Sequence, residues 1–366
     1  MTIFFVNPMG YGTLGKYDYN IVSNFQNTTV LYLTNTKSQT HNLDQDSMKI
    51  YDYSSKKGIF KALSYIRSQY QLLQLAKSKN PRVVHFQWLK TPRVDLLLIK
   101  RLKRNSKTIL TVHNLLPHSS GNRFKAIYKK IYLTVDQLIV HTARTKEELV
   151  KDYHITAEKI QIIPHGTFPI ENLDRDKTAN IKSAFVTNFK TADKVVFGVL
   201  GRINAYKGIP IIAEAWRKLT PEKRGVMHLL IAGEGKSTAL EYIEGLDNTT
   251  VVNEAISDEE FQAFLEVSDF LLLPYLQISQ SGFLLTALSN RKRVIVSNRG
   301  GLTEPFSLGK VGYIIEEPLN AENVKSALLE ALDNKDIYPD ETVWEKVLGY
   351  YDWKNIARST EALYLL

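Results

Sequence analysis

Short, uninterrupted apolar runs alternate with longer amphipathic stretches along nearly the whole chain, and that alternation leaves few folds open. Strand-like runs at Thr2–Val6, Val30–Leu33, Arg82–Phe86, Thr108–Val112, Gln137–Val140 and Lys159–Ile163 alternate with helix-like stretches at Phe60–Lys79, Val94–Arg104, Arg123–Leu133 and Lys146–Tyr153. A strand apolar on both faces must be covered on both, which calls for parallel strands joined by crossover helices. The pattern pauses between Gly166 and Lys194, where polar residues and Pro169 dominate. It resumes with strands at Val195–Leu200, His228–Ala232, Thr250–Val252, Phe270–Leu273, Arg293–Val296 and Tyr313–Ile315. The intervening helices are Ile209–Leu219, Ser237–Gly245, Asp258–Val267, Gly282–Ser289 and Ala321–Asp333. The fold class is therefore α/β, with two doubly wound, Rossmann-like domains and ligands expected at strand carboxyl ends and in the cleft between domains. The expected divisions are a first domain over 1–168, a linker over 169–194 and a second domain over 195–348.

A chain of 366 residues exceeds what one hydrophobic core usually serves. It has no cysteine, which excludes disulfides, thiolate metal sites and cysteine nucleophiles together. The first residues, Met1 to Pro8, form a short apolar run without a basic leader, and read as a buried strand and not a signal peptide. No stretch approaches the roughly 18 apolar residues of a membrane span. The longest candidate, Val94 to Leu102, contains Asp95, Lys100 and Arg101. A net charge of +9 favours anionic partners.

Two stretches carry recognisable chemistry. In Phe197-Gly-Val-Leu-Gly-Arg-Ile-Asn-Ala-Tyr-Lys-Gly-Ile-Pro a buried strand ends at Gly201, Arg202 follows, and Lys207-Gly208 opens a helix. An isolated Arg-x4-Lys is ordinarily a solvated loop. Placed at a parallel strand's carboxyl end beside a helix start, it forms a clamp for a diphosphate: a guanidinium fork and a compact ammonium charge. In the second, Leu271 to Leu288, an apolar strand runs through Pro274-Tyr275 and a polar loop into Ser281-Gly282, where a helix begins. Its free N–H groups suit a distal phosphate, although a serine N-cap alone would look the same. His85, His113, His141 and His165 each stand at or beyond a strand end, and His113, in Thr111-Val-His-Asn-Leu-Leu-Pro, is the best placed to face a ligand.

Together these features resemble glycosyltransferase family 4, retaining enzymes of the two-lobed GT-B fold. The matching residues are Thr111-Val-His-Asn, Ile163-Pro-His-Gly, Gly201-Arg-Ile-x-x-Tyr-Lys-Gly, Ala232-Gly-Glu-Gly, Ser268-Asp-Phe-Leu-Leu-Leu-Pro and Gly300-Gly-Leu-Thr-Glu, in the family's order. Tyr351-Asp-Trp-Lys-Asn-Ile-Ala resembles its last helix, so 349–366 is expected to cross back onto the first domain. The resemblance implies a metal-independent hexosyl transfer without a cofactor, from a UDP- or GDP-linked sugar. It implies that Arg202 and Lys207 hold the diphosphate and stabilise its developing charge. It places His113 near the sugar, through side chain or carbonyl, and Gly10 and Gly12 in a loop near the donor. It places Gly201, Gly233, Glu254, Ala255 and Ile256 around the donor, all but Gly201 bordering the base. Tyr275, Gln280, Ser281, Gly282, Phe283 and Thr286 complete the implied donor contacts, and Thr303-Glu304 belongs to a Gly-Gly-x-x-Glu element expected to be structural. The family usually carries two glutamates eight residues apart in the second stretch. Here Ile278-Ser-Gln-Ser-Gly replaces the first and Thr286 the second. Gln280 is then left for sugar or phosphate contacts, and Thr286 for the ribose.

Basic residues cluster at Lys90, Arg93, Lys100, Arg101, Lys103, Arg104 and Lys107, and again at Arg123, Lys125, Lys129 and Lys130, interleaved with apolar ones. Such helices suit an anionic membrane surface, and equally a solvated face. No nucleic-acid module is present. The expectation is a cytoplasmic enzyme, peripheral at the inner face of the cell membrane, that extends a lipid-linked glycan in surface polysaccharide synthesis. The alternatives are a GT-B transferase with a soluble protein or metabolite acceptor, and a catalytically silent partner subunit.

Overall fold

The computed structural model describes residues 2–38, 46–116, 121–168, 170, 173–235, 238–243 and 245–365. Met1, Pro117, Pro169 and Ser237, named above, lie outside the described residues. The chain divides into two compact units, Met1–Gly166 with Tyr351–Leu366, and Thr167–Tyr350.

The first unit runs β1 (Thr2–Asn7), α1 (Gly12–Ser23), β2 (Thr29–Asn35), β3 (Asp46–Tyr51), α2 (Gly58–Lys79), β4 (Val83–Phe86), α3 (Pro92–Leu102), β5 (Lys107–Val112), α4 (Lys125–Thr134), β6 (Gln137–Val140), α5 (Ala143–Tyr153) and β7 (Ile160–Ile162). Among the described residues its sheet has seven strands, ordered β3-β2-β1-β4-β5-β6-β7. Every pairing in it is parallel. The order reverses between β1 and β4, so their carboxyl ends flank the crevice where such sheets bind ligands. Continuous apolar strands such as Ile3–Val6 are fully buried, as a sheet covered on both faces requires.

The second unit runs α6 (Arg175–Phe189), β8 (Val195–Leu200), α7 (Ile209–Arg217), α8 (Pro221–Gly225), β9 (Met227–Ala232), β10 (Thr249–Val252), α9 (Asp258–Val267), β11 (Phe270–Leu273), α10 (Gly282–Ser289), β12 (Arg293–Ser297), β13 (Gly312–Ile315), α11 (Ala321–Asp333) and α12 (Glu341–Tyr350). Its sheet is ordered β10-β9-β8-β11-β12-β13, again parallel throughout, and reverses between β8 and β11.

The last helix, α13 (Trp353–Leu365), belongs to the first unit. Glu361 ties it there, its carboxylate accepting from the N–H groups of Gln26 and Asn27 and from the Thr28 hydroxyl. Trp353 lies against Gly166 so closely that a Cβ there would come within 2.3 Å of the indole.

Several elements depart from the sequence reading. The stretch taken as a linker, 169–194, holds α6, capped by Asp174, with Thr178 and Phe185 buried and its flank packed on α9. Its apolar residues are too sparse to show a stripe, and it is held by a few large contacts such as Phe185 on Phe264. Helix α1 escaped notice because glycine, asparagine and aspartate, poor helix formers, dilute its pattern. The helix expected at Ser237–Gly245 is a 3-10 turn over Thr238–Tyr242. The terminal segment expected as one helix from 349 is divided: α12 ends at Tyr350 in the second unit, and α13 starts at Trp353.

Candidate functional site

Functional candidates stand at the carboxyl edges of both sheets. In the second unit, Gly201 leaves β8 with φ +83°, a left-handed backbone that favours glycine, and its N–H donates to the Ala232 carbonyl at the end of β9. The chain then turns through Arg202, which is exposed and has no ion pair among the described residues, to Lys207, which is only 4% exposed. The Lys207 ammonium donates to the Leu200 carbonyl (2.6 Å). An ammonium has three donors, so two stay available. Burial without an acidic partner lowers its pKa from 10.5 to about 8. A buried cation spared a carboxylate is poised for an anion that arrives from outside.

The neighbouring loop is fastened to this turn. Leu276 N–H donates to the Tyr206 carbonyl (2.8 Å), and Tyr206 packs edge-on against buried Tyr275 (5.3 Å). Gly208, at φ +73°, has no room for a Cβ, which would meet the Pro274 carbonyl oxygen at 2.3 Å. Ser281 caps α10 by accepting from Leu284 N–H (3.2 Å), and burial holds the Tyr275 phenol, which shares a hydrogen bond with Ser281, above its usual pKa. The first N–H groups of α10, at Gly282 and Phe283, have no intrahelical acceptor. Lys207 Nζ lies 5.7 Å from the Phe283 ring centroid, which places the ammonium beside that helix start. The structure thus brings Gly201, Lys207, Tyr275, Ser281, Gly282 and Phe283 together, with Arg202 on the same turn. Gly233 is pressed against the Gly201 carbonyl. Glu254 and Ala255 are exposed and Ile256 half-buried in the loop after β10, a separate strand end on the same edge. Gln280 is half-buried. The Thr286 hydroxyl, one turn into α10, donates to the Gly282 carbonyl (3.2 Å). Glu304 opens a 3-10 turn, Glu304–Ser307.

The first unit's carboxyl edge is built differently. After β5, His113 stacks on Trp88 (4.8 Å, 3° between planes) and meets Tyr17 edge-on (4.9 Å). Its Nε2 lies 3.1 Å from the Gln87 side-chain amide, and its Nδ1 3.1 Å from His141 Nε2. His141 Nδ1 lies 2.9 Å from the Ile163 carbonyl, which can only accept, so Nδ1 carries the proton. At the far end His85 Nδ1 meets the Tyr364 hydroxyl (2.7 Å), and its Nε2 meets Thr111 Oγ1 (2.8 Å) and the Gln87 amide (3.0 Å). Burial pushes the pKa of His85 and His141 down to about 3 and that of His165 to about 4, and His113 lies well below 6.5, first by burial and then by the adjacent histidines. All four are neutral near pH 7.

Neutrality determines every proton. His141 donates through Nδ1 and so accepts at Nε2; His113 therefore donates through Nδ1 and accepts at Nε2. The Gln87 amide must then present its NH2 to His113 and its oxygen to His85. Its oxygen and Thr111 accept from His85 Nε2–H, and Tyr364 donates to His85 Nδ1. The result is a one-way chain from Tyr364 to the Ile163 carbonyl, and both ring nitrogens of His113 are occupied. Gln87 was not singled out from sequence; its place directly after β4, in His85-Phe-Gln-Trp, was the available signal.

Gly10 lies in the turn just beyond β1, where a Cβ would meet Tyr32 Oη at 2.2 Å and Thr34 Oγ1 at 2.4 Å; Gly12 opens α1 in open space. Beneath Gly10, buried Asp18 accepts at Oδ2 from Asn7 and Tyr32 (both 2.6 Å), and its Oδ1 has no partner. Burial raises its pKa to about 7. Asp18 was also missed from sequence, because α1 was.

Two Rossmann-like domains, a terminal helix returned to the first, and a basic, helix-lined edge on the second define the GT-B class of glycosyltransferases. Residues 29–168 match the family model described as Glycosyltransferase Family 4, and residues 194–334 that described as Glycosyl transferases group 1. The chain belongs to the family 4-like glycosyltransferases of the GT-B fold. It is 21% identical over 277 residues to a lipopolysaccharide 1,2-N-acetylglucosaminetransferase of Salmonella typhimurium, across 72% of this chain and 68% of that one. It is 22% identical over 253 residues to mannosylfructose-phosphate synthase of Agrobacterium fabrum, across 64% of this chain and about half (53%) of that relative's length. A glycosyltransferase from Rickettsia africae shares the fold at a TM-score of 0.72 and 18% identity, covering 99% of this chain and 97% of the other. An Anabaena protein solved in complex with UDP does so at 0.69 and 13%, covering 100% of both.

Proposed function

We propose that this chain transfers a hexose-type sugar, with retention and without a metal, from a nucleotide-diphosphate sugar to a lipid-linked glycan acceptor. The observation that carries the reading is Lys207, a buried ammonium with two donors to spare and no acidic partner, beside the first N–H groups of α10. A leaving diphosphate develops negative charge as its bond to the anomeric carbon breaks. Lys207, Arg202 and the N–H groups of Gly282 and Phe283 stabilise that charge. The acceptor hydroxyl supplies the new bond's electron pair and its proton passes to the departing phosphate oxygen, so no protein base is needed. With both ring nitrogens engaged, His113 acts toward the sugar through its backbone carbonyl. Glu254 to Ile256 border the base, and Thr286 offers the ribose an acceptor oxygen only, its proton being committed to Gly282. Gly10 and Gly12 lie near the donor in this reading, and Gln280 contacts sugar or phosphate.

The lipopolysaccharide-modifying relative supports a glycan acceptor, and the UDP complex of a neighbour makes uridine the first base to test. With them goes a cytoplasmic enzyme peripheral to the membrane through basic helices of its first unit; among the described residues no helix is long and apolar enough to cross one. The mannosylfructose-phosphate synthase relative favours, as the second reading, a soluble sugar-phosphate acceptor. A thermal-shift screen of UDP- and GDP-sugars tests the donor: a ligand at 100 times its dissociation constant stabilises by about 2.7 kcal/mol. Hydrolysis of the sugar so identified should fall about 10- to 100-fold in Arg202→Ala. Equal background turnover in both proteins would instead indicate a silent partner subunit.

A further inference from the structure

The 22-residue helix α2 carries its polarity inside out. Its inward face buries Tyr65, Ser68, Gln69 and Leu72. Three of them are tied by hydrogen bonds: Tyr65 and Gln69 donate to Asp95 on α3 (2.6 and 2.9 Å), and Ser68 to the Ile50 carbonyl (2.7 Å). Its outward face holds Ile59, Leu63, Ile66 and Tyr70, which are 71, 55, 49 and 62% exposed. At about 100° per residue these four fall within a sector roughly 60° wide. Phe60, 70% exposed, borders it. A helix serving only its own domain turns such a stripe to the core, and a run of large apolar residues left in water marks a surface for something else.

The surrounding charge selects the occupant. Lys56, Lys57, Lys61, Arg67, Lys77 and Lys79 are exposed on and beside α2, and no aspartate or glutamate occurs from Tyr53 through Val94. Pairing with a second copy of α2 would bring two cationic rims together. An anionic sheet of charge has no such conflict. Helix α3, packed on α2, adds exposed Leu97 (66%) with Lys100 and Arg101.

We infer that α2 is the element by which this protein lies on an anionic lipid surface, with Ile59, Phe60, Leu63, Ile66 and Tyr70 in the interfacial layer and the lysines at the headgroups. The inference rests on the membrane reading above but relocates the contact from the basic stretches of α3 and α4 to a helix that combines charge with exposed apolar area.

The test is flotation of the full chain with phosphatidylcholine vesicles, with and without about a third phosphatidylglycerol. Wild type should float with the anionic vesicles at low salt and much less with the neutral ones. Leu63→Ser combined with Ile66→Ser should lower bound protein at least about tenfold. Ile337→Ser, at an exposed site of the second unit, should change nothing, and all three proteins should melt at the same temperature. Undiminished flotation of the double variant overturns the inference. If Lys100→Glu with Arg101→Glu then abolishes flotation, the earlier membrane reading stands without it; if wild type fails to float, both fall. A concentration-dependent dimer that the double variant loses, with flotation unchanged, would assign the stripe to a second copy and also overturn the proposal.

Discussion

The two sheets share strand order and direction, yet their carboxyl edges are finished in opposite ways. On the first, Tyr364, His85, Gln87, His113, His141 and the Ile163 carbonyl satisfy one another in a neutral chain. On the second, an exposed Arg202, a buried Lys207 and the Gly282 and Phe283 N–H groups that begin α10 leave donors unanswered. A saturated network rigidifies and excludes charge, whereas an unsaturated cationic one invites it. The same topology therefore yields one edge suited to shape and another suited to an anion.

The largest effect should come from emptying the open edge. Lys207→Ala should lower kcat/KM for the donor by about 10²- to 10³-fold, or about 3–4 kcal/mol, while the melting temperature holds or rises because a buried charge is removed. A loss of only a few-fold would mean the two edges do not differ in the way proposed. Breaking the closed edge should act on stability instead. Gln87→Leu leaves His113 Nε2 without a donor and His85 Nε2–H with Thr111 as its remaining acceptor. It should destabilise by about 1–3 kcal/mol in denaturant unfolding, with donor affinity unchanged. Gln87→Glu sharpens the point. A carboxylate facing His113 Nε2 should favour imidazolium, so 15N shifts of that ring should show two protonated nitrogens near neutral pH where wild type shows one.

The smallest effect is a pH profile. Lys207 holds its charge below about pH 8 and loses it above. Donor affinity is thus complete at lower pH and should decline as pH rises through about 8, at most tenfold per unit. Bound diphosphate favours the ammonium, so the decline should appear at lower pH in kcat/KM than in kcat. The stability term runs the other way: the folded pKa lies below the ordinary value, so the cost of burying the charge is present below about pH 8 and is relieved between there and 10.5. A flat donor profile to pH 9.5 would count against Lys207 as the anion's partner.

How much of this was legible in advance depended on how local its cause was. Strands β8 and β11 and helices α9, α10 and α11 were readable to the residue, because continuous apolar runs and N-caps such as Ser257 and Ser281 mark their own limits. Arg202 and Lys207 could be named because a glycine, two cations and a helix start lie within a few positions. Helices α1 and α6 could not be read, since their apolar residues are few and their partners distant. Asp18 and Gln87 went unnoticed for the same reason: an ordinary polar residue is distinguished only by what is folded around it.

Sequence alone determined the alternation that demands parallel sheets, its division into two series, and the cations that follow β8. Those are properties of neighbours along the chain, set by period and by backbone preference. Only the tertiary structure decided that Lys207 is buried without a counter-ion, that three histidines share their protons in one direction, and that α2 turns its apolar stripe outward. Each depends on what lies across space from a residue. Burial, proton position and exposure are exchanges with distant groups and with water, and no local pattern encodes them.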